Sequence, residues 1–430
     1  MSKLADLVSH IELPKMIEMT QIFPRPRIKD VAEEVKMQLN NSGIGMRIQP
    51  GNRIAITGGS RGIANIALII KEIAAFVKVQ GGEPFIIPAM GSHGGATAEG
   101  QMDILHSLGI TEEFCQCPIK SSMETKLVGV TENSGLPVYE DQYAYEADGV
   151  ILVNRIKPHP SFCGDIESGV CKIAIIGLGK QKGAALCHGR GITCMAKTLE
   201  EAASYMFSHG NIIGGLGIVE NAYDETSRLE GMLTENILER EKELLKEAYK
   251  NFPQIYFKKY DSLLVEEIGK NISGAGMDTI IVSRYTHDGV PKDKRQQTIC
   301  VLDLTEETHG NANGMGLADV VPKRFADKID FLNTYPNNLT SRVVGSSKMP
   351  LVTDHDKAAI QTAIHCCMGI DYTKVKLIWI KNTLDIGRIV ISEALYKEWK
   401  ENRDKYPFIK QTGELFSMEF DKDGNLRRLR

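Results

Sequence analysis

The first half of the chain alternates short apolar runs with segments of helical periodicity, and this order constrains the fold more than any other feature of the sequence. Two segments, 62–79 and 96–108, repeat apolar residues at helical spacing and end at glycines. Three apolar runs are predicted as buried strands: RIAIT (53–57), EPFIIPAM (83–90) and GVILVN (149–154). Strand, helix and strand in this order predict a parallel sheet with helices packed on its faces.

A charged segment, TENILEREKELLKEAYK (234–250), is predicted as a helix that begins at an N-cap, Thr234, and connects two domains. The alternation then returns. Strands are predicted at SLLVEEI (262–268), DTIIVS (278–283), TICVLDL (298–304) and KVKLIWI (374–380), and a last helix is predicted at 386–402. A chain of 430 residues is long enough for two ordinary domains.

We therefore predict an α/β protein that consists of two α/β domains with mainly parallel sheets. The N-terminal domain is expected to span residues 1–255, and the C-terminal domain to span residues 256–430. An active-site cleft is expected between the two domains, with the C-terminal domain closing it. We allow the last helix to pack back on the first domain.

Composition and charge exclude several classes of function. The formal net charge of −4 at pH 7 argues against a general binder of the nucleic-acid phosphate backbone, which needs a basic excess. The most apolar helical stretch, IANIALIIKEIAAFV, is interrupted by Lys71 and Glu72, so no membrane span is predicted. The N-terminus has no apolar signal-peptide core. We expect a cytoplasmic protein with neither nucleic-acid nor membrane partners.

The cysteines are expected to be reduced thiols. There are nine of them and no Cys-x-x-Cys pair, which does not suit a disulfide framework. Five lie between residues 115 and 187, namely Cys115, Cys117, Cys163, Cys171 and Cys187. This clustering leaves two interpretations open, metal or redox chemistry on the one hand and small buried apolar side chains on the other.

Basic side chains follow each of the three N-terminal strands. GGSRG after the first strand carries Arg61, and MGSHGG after the second carries His93. RIKPHPSFCGD after the third carries Arg155, Lys157 and His159. Ligands of open α/β sheets collect beyond the carboxyl ends of the strands. One edge of the sheet is therefore expected to gather two histidines and at least one arginine.

The two histidines have local settings that suit acid–base chemistry. Glycines on both sides of His93 let the backbone approach a ligand closely, and a solvated turn is the alternative. His159 lies between Pro158 and Pro160, which place it on a stiff extended arm, and an ordinary extended connector is the alternative. Histidine exchanges protons near neutral pH. Two histidines that face one cleft indicate proton transfer from two sides, as an enzyme that inverts a stereocentre requires.

The segment SGVCKIAIIGLGKQKG (168–183), followed by Cys187 and His188, holds the densest group of reactive side chains. Lys172 lies at the mouth of an apolar run, where burial lowers an amine pKa and creates a nucleophile. Lys180 and Lys182 lie in a glycine-rich stretch that suits a phosphate. His188 beside Cys187 suits a soft or borderline metal.

Taken together, these motifs resemble the nickel-dependent lactate racemase family, hydroxy-acid racemases and epimerases that use a nickel-pincer nucleotide. The matching residues occur in the same order along the chain: Arg61 after the first strand, His93 in GSHGG, His159 in PHPSFCG, Lys172 in SGVCK, and His188. The resemblance covers about residues 50–200 and is fainter in the C-terminal half.

The resemblance implies a cofactor in the N-terminal domain. This would be a nickel-pincer nucleotide, a Ni(II) pyridinium bis-thiocarboxylic acid mononucleotide derived from nicotinic acid. Lys172 would anchor it through a thioamide, His188 would be the protein ligand to nickel, and Lys180 and Lys182 are expected as further cofactor contacts. The enzymes that synthesise the cofactor would then be partners of this protein.

The resemblance also implies an activity. His93 and His159 would be the two acid/bases, and Arg61 would bind the substrate or polarise its oxygens. The expected reaction is racemisation or epimerisation of a 2-hydroxy acid by proton-coupled hydride transfer to the cofactor. The cofactor carries the difficult step, and the protein supplies orientation and proton transfer.

Three features depart from the family pattern. The segment between His159 and Lys172 is longer, GGSRGI lacks the proline that follows the arginine in lactate racemases, and the C-terminal substrate residues have no clear match. Two polar loops, EEIGKNISGAGMD (266–278) and DLTEETHGNANGMGLAD (303–319), are expected to face the cleft instead, and ordinary turns are the alternative. Within them we predict four substrate contacts: Lys270, Asn271, His309 and Asn311. The substrate class is a 2-hydroxy acid, without lactate being specified.

Two other functions remain open. RIAITGGSRGIAN (53–65) is similar to the first turn of a nucleotide-dependent dehydrogenase, but Ala64 replaces the third glycine. The Tyr-x-x-x-Lys pairs that such enzymes use occur only far downstream, among them Tyr372/Lys376 and Tyr396/Lys400. The clustered cysteines indicate a metal- or iron–sulfur-binding protein, although their spacing matches no recognised cluster pattern.

Overall fold

The computed structural model describes residues 3–287 and 295–428. The chain divides into two compact units. Pro24–Phe252 form the central unit, and Met1–Phe23 together with Pro253–Arg430 form the terminal unit. Each unit has its own sheet, so the protein belongs to the mixed α/β class with large, mainly parallel sheets.

The regular elements of the described residues are as follows. The strands are β1 (Met16–Gln21), β2 (Arg53–Gly58), β3 (Glu83–Pro88), β4 (Thr125–Val130), β5 (Pro137–Asp141), β6 (Gly149–Arg155), β7 (Ile212–Glu220), β8 (Thr226–Leu233), β9 (Ser262–Val265), β10 (Thr298–Val301), β11 (Val320–Pro322), β12 (Leu351–Thr353), β13 (Leu377–Ile380), β14 (Arg388–Ser392) and β15 (Ile409–Gln411). The helices are α1 (Lys3–Val8), α2 (Val31–Ser42), α3 (Ile66–Val79), α4 (Ala98–Ser107), α5 (Glu112–Cys115), α6 (Gln142–Tyr145), α7 (Val170–Lys172), α8 (Lys180–Gly189), α9 (Met195–His209), α10 (Ile237–Asn251), α11 (Lys323–Asp327), α12 (Phe331–Ser341), α13 (Asp356–His365) and α14 (Glu393–Glu401). A π-helical turn, Ile173–Gly177, follows α7 directly.

The sheet of the central unit has the strand order β3-β2-β6-β7-β8. The first four strands are parallel, and β8 returns antiparallel beside β7. Within this sheet the chain passes from β2 to β3 on one side of β2, and then to β6 on the other side of β2. This reversal creates a switch point, and in open α/β sheets the crevice at a switch point is where ligands bind.

The central sheet is buried on both faces, as a parallel sheet requires. Alternate residues of its strands belong to two separate cores. On one face, α2, α3 and α4 cover Ile54, Ile56, Ile86, Ile151 and Val153. On the other face, the segment from α7 to α10 covers Ala55, Phe85, Ile87, Val150 and Leu152. The helices that carry Lys172 and His188 therefore lie on the second face.

The sheet of the terminal unit has the order β12-β11-β10-β9-β13-β14-β1-β15. The strands from β12 to β13 are parallel, and β14, β1 and β15 extend the sheet with antiparallel pairs. Leu264, Cys300, Trp379 and Val390 pack in one core with α13. No helix of the described residues combines the length and the apolar character that crossing a membrane requires.

The division of the chain differs from the predicted one at its N-terminal end. We assigned residues 1–23 to the first domain, but they belong to the terminal unit. The reason is the backbone pairing of β1, which bonds to β14 and β15, and the complete burial of Met16 and Met19. The break at 252/253 lies close to the predicted position.

Two element predictions were wrong, and one helix begins later than predicted. DTIIVS (278–283) is not a strand but a run of turns, because the Asp278 carboxylate accepts hydrogen bonds from the backbone N–H groups of Ile280 and Ile281. The predicted last helix, 386–402, is β14 followed by α14, which packs on β1 and β14 of its own unit. The helix predicted from residue 62 begins only at Ile66.

The charged helix is part of the central unit rather than a connector. Its residues Ile237, Leu244 and Leu245 are buried in the core beneath the sheet. Thr234 is not its N-cap, because the Thr234 hydroxyl donates to the Ile212 carbonyl and a 3₁₀ turn, Thr234–Asn236, precedes α10.

Candidate active site

The basic residues predicted from the loops after β2, β3 and β6 do gather at the carboxyl edge of the central sheet. Arg61 and Lys157 lie close enough to His159 to depress its pKa, and so do Lys172 and His188 from the helical segment below. His93 joins the group through a hydrogen bond between its Nδ1 and the Ser60 hydroxyl. We call Arg61, His93, Lys157, His159, Lys172 and His188 the basic cluster.

His159 is held in a defined orientation by its neighbours. Its ring stacks on Phe162, with centroids 4.2 Å apart. Its Nδ1 accepts a hydrogen bond of 3.1 Å from the Ser161 backbone N–H. Nδ1 is then unprotonated, so the proton of the neutral ring sits on Nε2. In this arrangement His159 presents an N–H donor rather than a lone pair.

Burial lowers the pKa of His159 well below 6.5, and the positive charges of Lys172, Lys157 and Arg61 lower it further. The Ser161 N–H also lowers this pKa, because a proton on Nδ1 would replace the hydrogen bond with two N–H groups that repel each other. His159 is therefore neutral at neutral pH. The same two causes, burial first and Lys172 second, lower the pKa of His188.

Lys172 has surroundings that lower its pKa. Burial, followed by the charges of Lys157 and Arg61, lowers its pKa from 10.5 to about 8. Roughly a quarter of such an amine is unprotonated at pH 7.5, against about a thousandth for an ordinary lysine. The start of its helical segment is fixed by Asn154, whose amide donates to the Gly169 carbonyl at 2.7 Å.

The loop between β2 and α3 presents Ser60 and Arg61 and does not have the form of a dinucleotide cradle. The Ala64 backbone N–H, which a bound phosphate would need, already donates to Glu220 at 2.6 Å. Glu220 also pairs with Arg155 at the end of β6. The helix begins four residues after Gly62 rather than at the glycines. The loop is thus pinned by a carboxylate of the protein itself, and Arg61 is exposed at its tip.

Lys180 does not have the surroundings of a cofactor contact. Its side chain is fully buried, and its ammonium lies 3.2 Å from Asp141 and donates to the Pro88 carbonyl and to Gln101. It is a structural ion pair that joins α8 to β5 and the end of β3. Lys182 is exposed, and its ammonium lies 4.0 Å from the centre of the Tyr139 ring. Its role as a cofactor contact stays a prediction.

The four predicted substrate residues of the terminal unit lie on the loops after β9 and β10. The Lys270 ammonium donates to the Gly274 carbonyl, and the Asn271 side chain accepts from Thr305 at 2.7 Å. The Asn311 amide donates to the Asn333 carbonyl, and His309 is exposed in a left-handed conformation. These bonds shape the loops, and a role in substrate binding stays a prediction.

The cysteines have the surroundings of packing residues. Four of the five clustered ones are buried, and burial raises the pKa of Cys117 to about 12 and of Cys187 to about 11. Within residues 3–287 and 295–428, no three His, Cys, Asp or Glu side chains are grouped so as to hold a metal ion. A thiolate is needed to bind metal, so these thiols favour the packing interpretation.

Several residues that support the cluster were missed in the sequence, among them Ser60, Glu167, Glu220 and Glu241. Each forms its hydrogen bond with a residue at least eight positions away in the chain, and no local sequence pattern reveals such a bond. Glu167 offered a signal, because it and Asp165 are two acidic residues in the long segment between His159 and Lys172.

The chain was compared with known proteins. No family model matches it, and no curated relative does. Among solved structures, it is similar to the lactate racemase apoprotein from Thermoanaerobacterium thermosaccharolyticum at 13% sequence identity and a TM-score of 0.49. The similarity covers 84% of this chain and 99% of that chain. A likeness this weak carries no functional argument, so any function has to be inferred from the residues.

We expect the reactivity of Lys172 to reveal its depressed pKa. In cofactor-free protein, labelling of Lys172 by an amine reagent should follow a titration with a midpoint of about 8, measured by peptide mass spectrometry across pH. The variant Lys157→Ala should raise this midpoint, because it removes a neighbouring positive charge. Lys246→Ala, on the surface of α10, should leave it unchanged. A wild-type midpoint near 10.5 would show that Lys172 is an ordinary lysine.

The variant Lys180→Ala should destabilise the protein by about 3–5 kcal/mol, because it leaves a buried carboxylate without its partner. The neighbouring variant Lys182→Ala should change stability little, since that side chain is exposed. Urea denaturation of both variants measures the difference. Equal midpoints for the two would contradict a structural role for the Lys180–Asp141 pair.

Proposed function

We propose that this protein is a racemase or epimerase of a 2-hydroxy acid that uses a nickel-pincer nucleotide. The observation that carries the proposal is the basic cluster. A low-pKa amine, two neutral imidazoles beside it, a third imidazole and an arginine meet at the carboxyl edge of one parallel sheet. Such a concentration of perturbed groups is typical of active sites.

The residues of the cluster fit the cofactor. An unprotonated amine is required to form an amide-type bond, and the lowered pKa of Lys172 leaves roughly a quarter of it in that form at pH 7.5. A neutral imidazole is required to bind a borderline metal, and His188 supplies one. Lys157 and Arg61 add positive charge that favours an anionic nucleotide and a carboxylate substrate. We propose Lys172 as the anchor of the cofactor and His188 as the protein ligand to nickel.

When bound, the cofactor would reversibly accept the hydride of the carbinol carbon. The task of the chain is to bind the hydroxy acid, orient it and move the hydroxyl proton. Arg61, exposed at the tip of its loop, would pair with the substrate carboxylate, where a guanidinium forms two parallel hydrogen bonds. Placing the substrate in this way is worth orders of magnitude in rate.

The two histidines would divide the proton transfer. His159 presents its Nε2–H, so it would donate to the substrate oxygen in the direction that forms the alcohol. His93 would accept the hydroxyl proton in the opposite direction. If its Nδ1–H donates to the Ser60 hydroxyl, its Nε2 carries the lone pair that a base needs. To exchange roles, His159 has to release its bond from the Ser161 N–H.

The proposal is tested with protein produced together with the enzymes of cofactor synthesis and offered a panel of enantiopure 2-hydroxy acids. We expect loss of optical purity, or epimerisation, for at least one of them. The variant Arg61→Ala should retain nickel but lose roughly 100-fold in kcat/KM, because the substrate is no longer oriented. Chiral chromatography measures the turnover, and metal analysis measures the loading.

Arg53→Ala is the matched control, since Arg53 lies at the amino end of the same strand and pairs with Asp148. It should keep both nickel and activity. Loaded protein that shows no exchange at the carbinol carbon of any acid would refute the proposal. Loss of nickel in Arg61→Ala would instead indicate that the loop binds the cofactor.

A further inference from the structure

Helix α10 lies behind the two segments that carry Lys172 and His159, on the same face of the central sheet. It is fixed there by buried apolar residues. Two of its polar side chains reach these segments, the buried Glu241 and the hydroxyl of the partly exposed Tyr249. They are roughly two helical turns apart.

Glu241 holds the start of the Lys172 segment. Its carboxylate is buried and accepts a hydrogen bond of 2.8 Å from the backbone N–H of Cys171, the residue before Lys172. Burial raises the pKa of Glu241 to about 7, and the backbone N–H groups of Cys171 and Val170 oppose that rise. A side chain at Gly169 would collide with the Glu241 carboxylate, so this close approach requires glycine.

Tyr249 holds the His159 loop through Glu167. Its hydroxyl donates to Glu167 Oε1 at 2.9 Å. The buried Glu167 carboxylate in turn accepts from the backbone N–H groups of His159 at 2.6 Å and of Gly164 at 3.1 Å. The loop that runs from Pro158 to α7 is thus tied to α10 by the hydrogen bond between the Tyr249 hydroxyl and the Glu167 carboxylate.

Burial of the Glu167 and Glu241 carboxylates costs desolvation free energy. A buried carboxylate normally has a cationic partner, because desolvation of its charge is expensive. Within the described ranges, neither Glu167 nor Glu241 forms an ion pair with a lysine or arginine. Their partners are neutral: backbone N–H groups, among them those of His159 and Cys171, and the Tyr249 hydroxyl. These contacts therefore fix the loops and add no partner charge beside Lys172 or His159.

We propose that α10 is a positioning platform in which Glu241 fixes Lys172 and Tyr249, through Glu167, fixes His159. Neither side chain is a catalytic residue, because each acts through the backbone of another segment. The inference rests on the proposed function only in naming Lys172 and His159 as the reacting groups. Its test uses cofactor-free protein, so it succeeds or fails independently of nickel chemistry.

The first arm of the test compares Glu241→Ala, Glu241→Gln and the control Glu243→Gln, which changes an exposed residue of the same helix. Labelling of Lys172 by an amine reagent is followed across pH. In Glu241→Ala the midpoint should rise from about 8 toward 10.5, with about a tenfold loss of rate at pH 7.5 for each unit. Glu241→Gln keeps an oxygen for the Cys171 N–H and should restore most of the rate.

The second arm compares Tyr249→Phe with Tyr205→Phe, a tyrosine of α9 that stacks on His209. Carbethoxylation of His159 is followed across pH by peptide mass spectrometry. In Tyr249→Phe the midpoint should rise toward 6.5, because the loosened loop lets water reach the ring. Tyr205→Phe should leave it unchanged.

Thermal unfolding of every variant separates positioning from stability. Variants that lower the unfolding temperature while the Lys172 and His159 midpoints stay at their wild-type values would overturn the proposal, since α10 would then only support the core. If Glu241→Ala does not fold, Glu241→Leu takes its place, because leucine fills similar space and offers no acceptor to the Cys171 N–H. Unchanged midpoints in that variant and in Tyr249→Phe would also overturn the proposal.

Discussion

The site depends on one physical constraint: basic groups are buried close together at one edge of the central sheet, which lowers their pKa values. Burial is the largest cause that lowers the pKa values of Lys172, His159 and His188. The charge of Lys172 lowers the pKa of both histidines further, and the charges of Lys157 and Arg61 lower those of Lys172 and His159. In their neutral forms these groups can attack, bind metal or exchange a proton, and in their charged forms they cannot. The surrounding carboxylates preserve this state because they accept from backbone N–H groups, which fixes the loops without giving Lys172 a counter-charge.

The sequence predicts the architecture of the central unit because its strands are fully buried and short helices separate them. The strands at 53–57, 83–90 and 149–154 are confirmed. The sequence does not reveal pairings between distant segments, so β1 was assigned to the wrong unit. The apolar residues of 278–283 led to a predicted strand where Asp278 in fact builds a turn. The prediction of the last helix was wrong for a related reason. Three of the five residues of RIVIS (388–392) are β-branched, and the strands that pair with this segment, β1 and β13, lie elsewhere in the chain.

The gathering of the basic residues that follow β2, β3 and β6 was predictable because the ends of parallel strands meet at one edge of a sheet. Lys180 was misjudged because a lysine in a glycine-rich segment is ordinarily exposed, whereas its partner Asp141 comes from a hairpin that the local pattern does not connect to it. The supporting residues Glu220 and Glu241 were invisible for the same reason, since each bonds to backbone far along the chain. The type of a reactive side chain can be read from the local sequence, but the residues that bury, pair or position it lie far away along the chain.

The central claim is that Lys172 anchors the cofactor and that His188 binds its nickel. The most direct measurement is intact-mass and metal analysis of protein produced with the cofactor-synthesis enzymes, for the wild type, Lys172→Ala and His188→Ala. We expect a mass increment on the Lys172 peptide together with nickel in the wild type, neither in Lys172→Ala, and the increment without firmly held nickel in His188→Ala. Nickel and increment that persist in both variants, or an increment on another residue, would contradict the account.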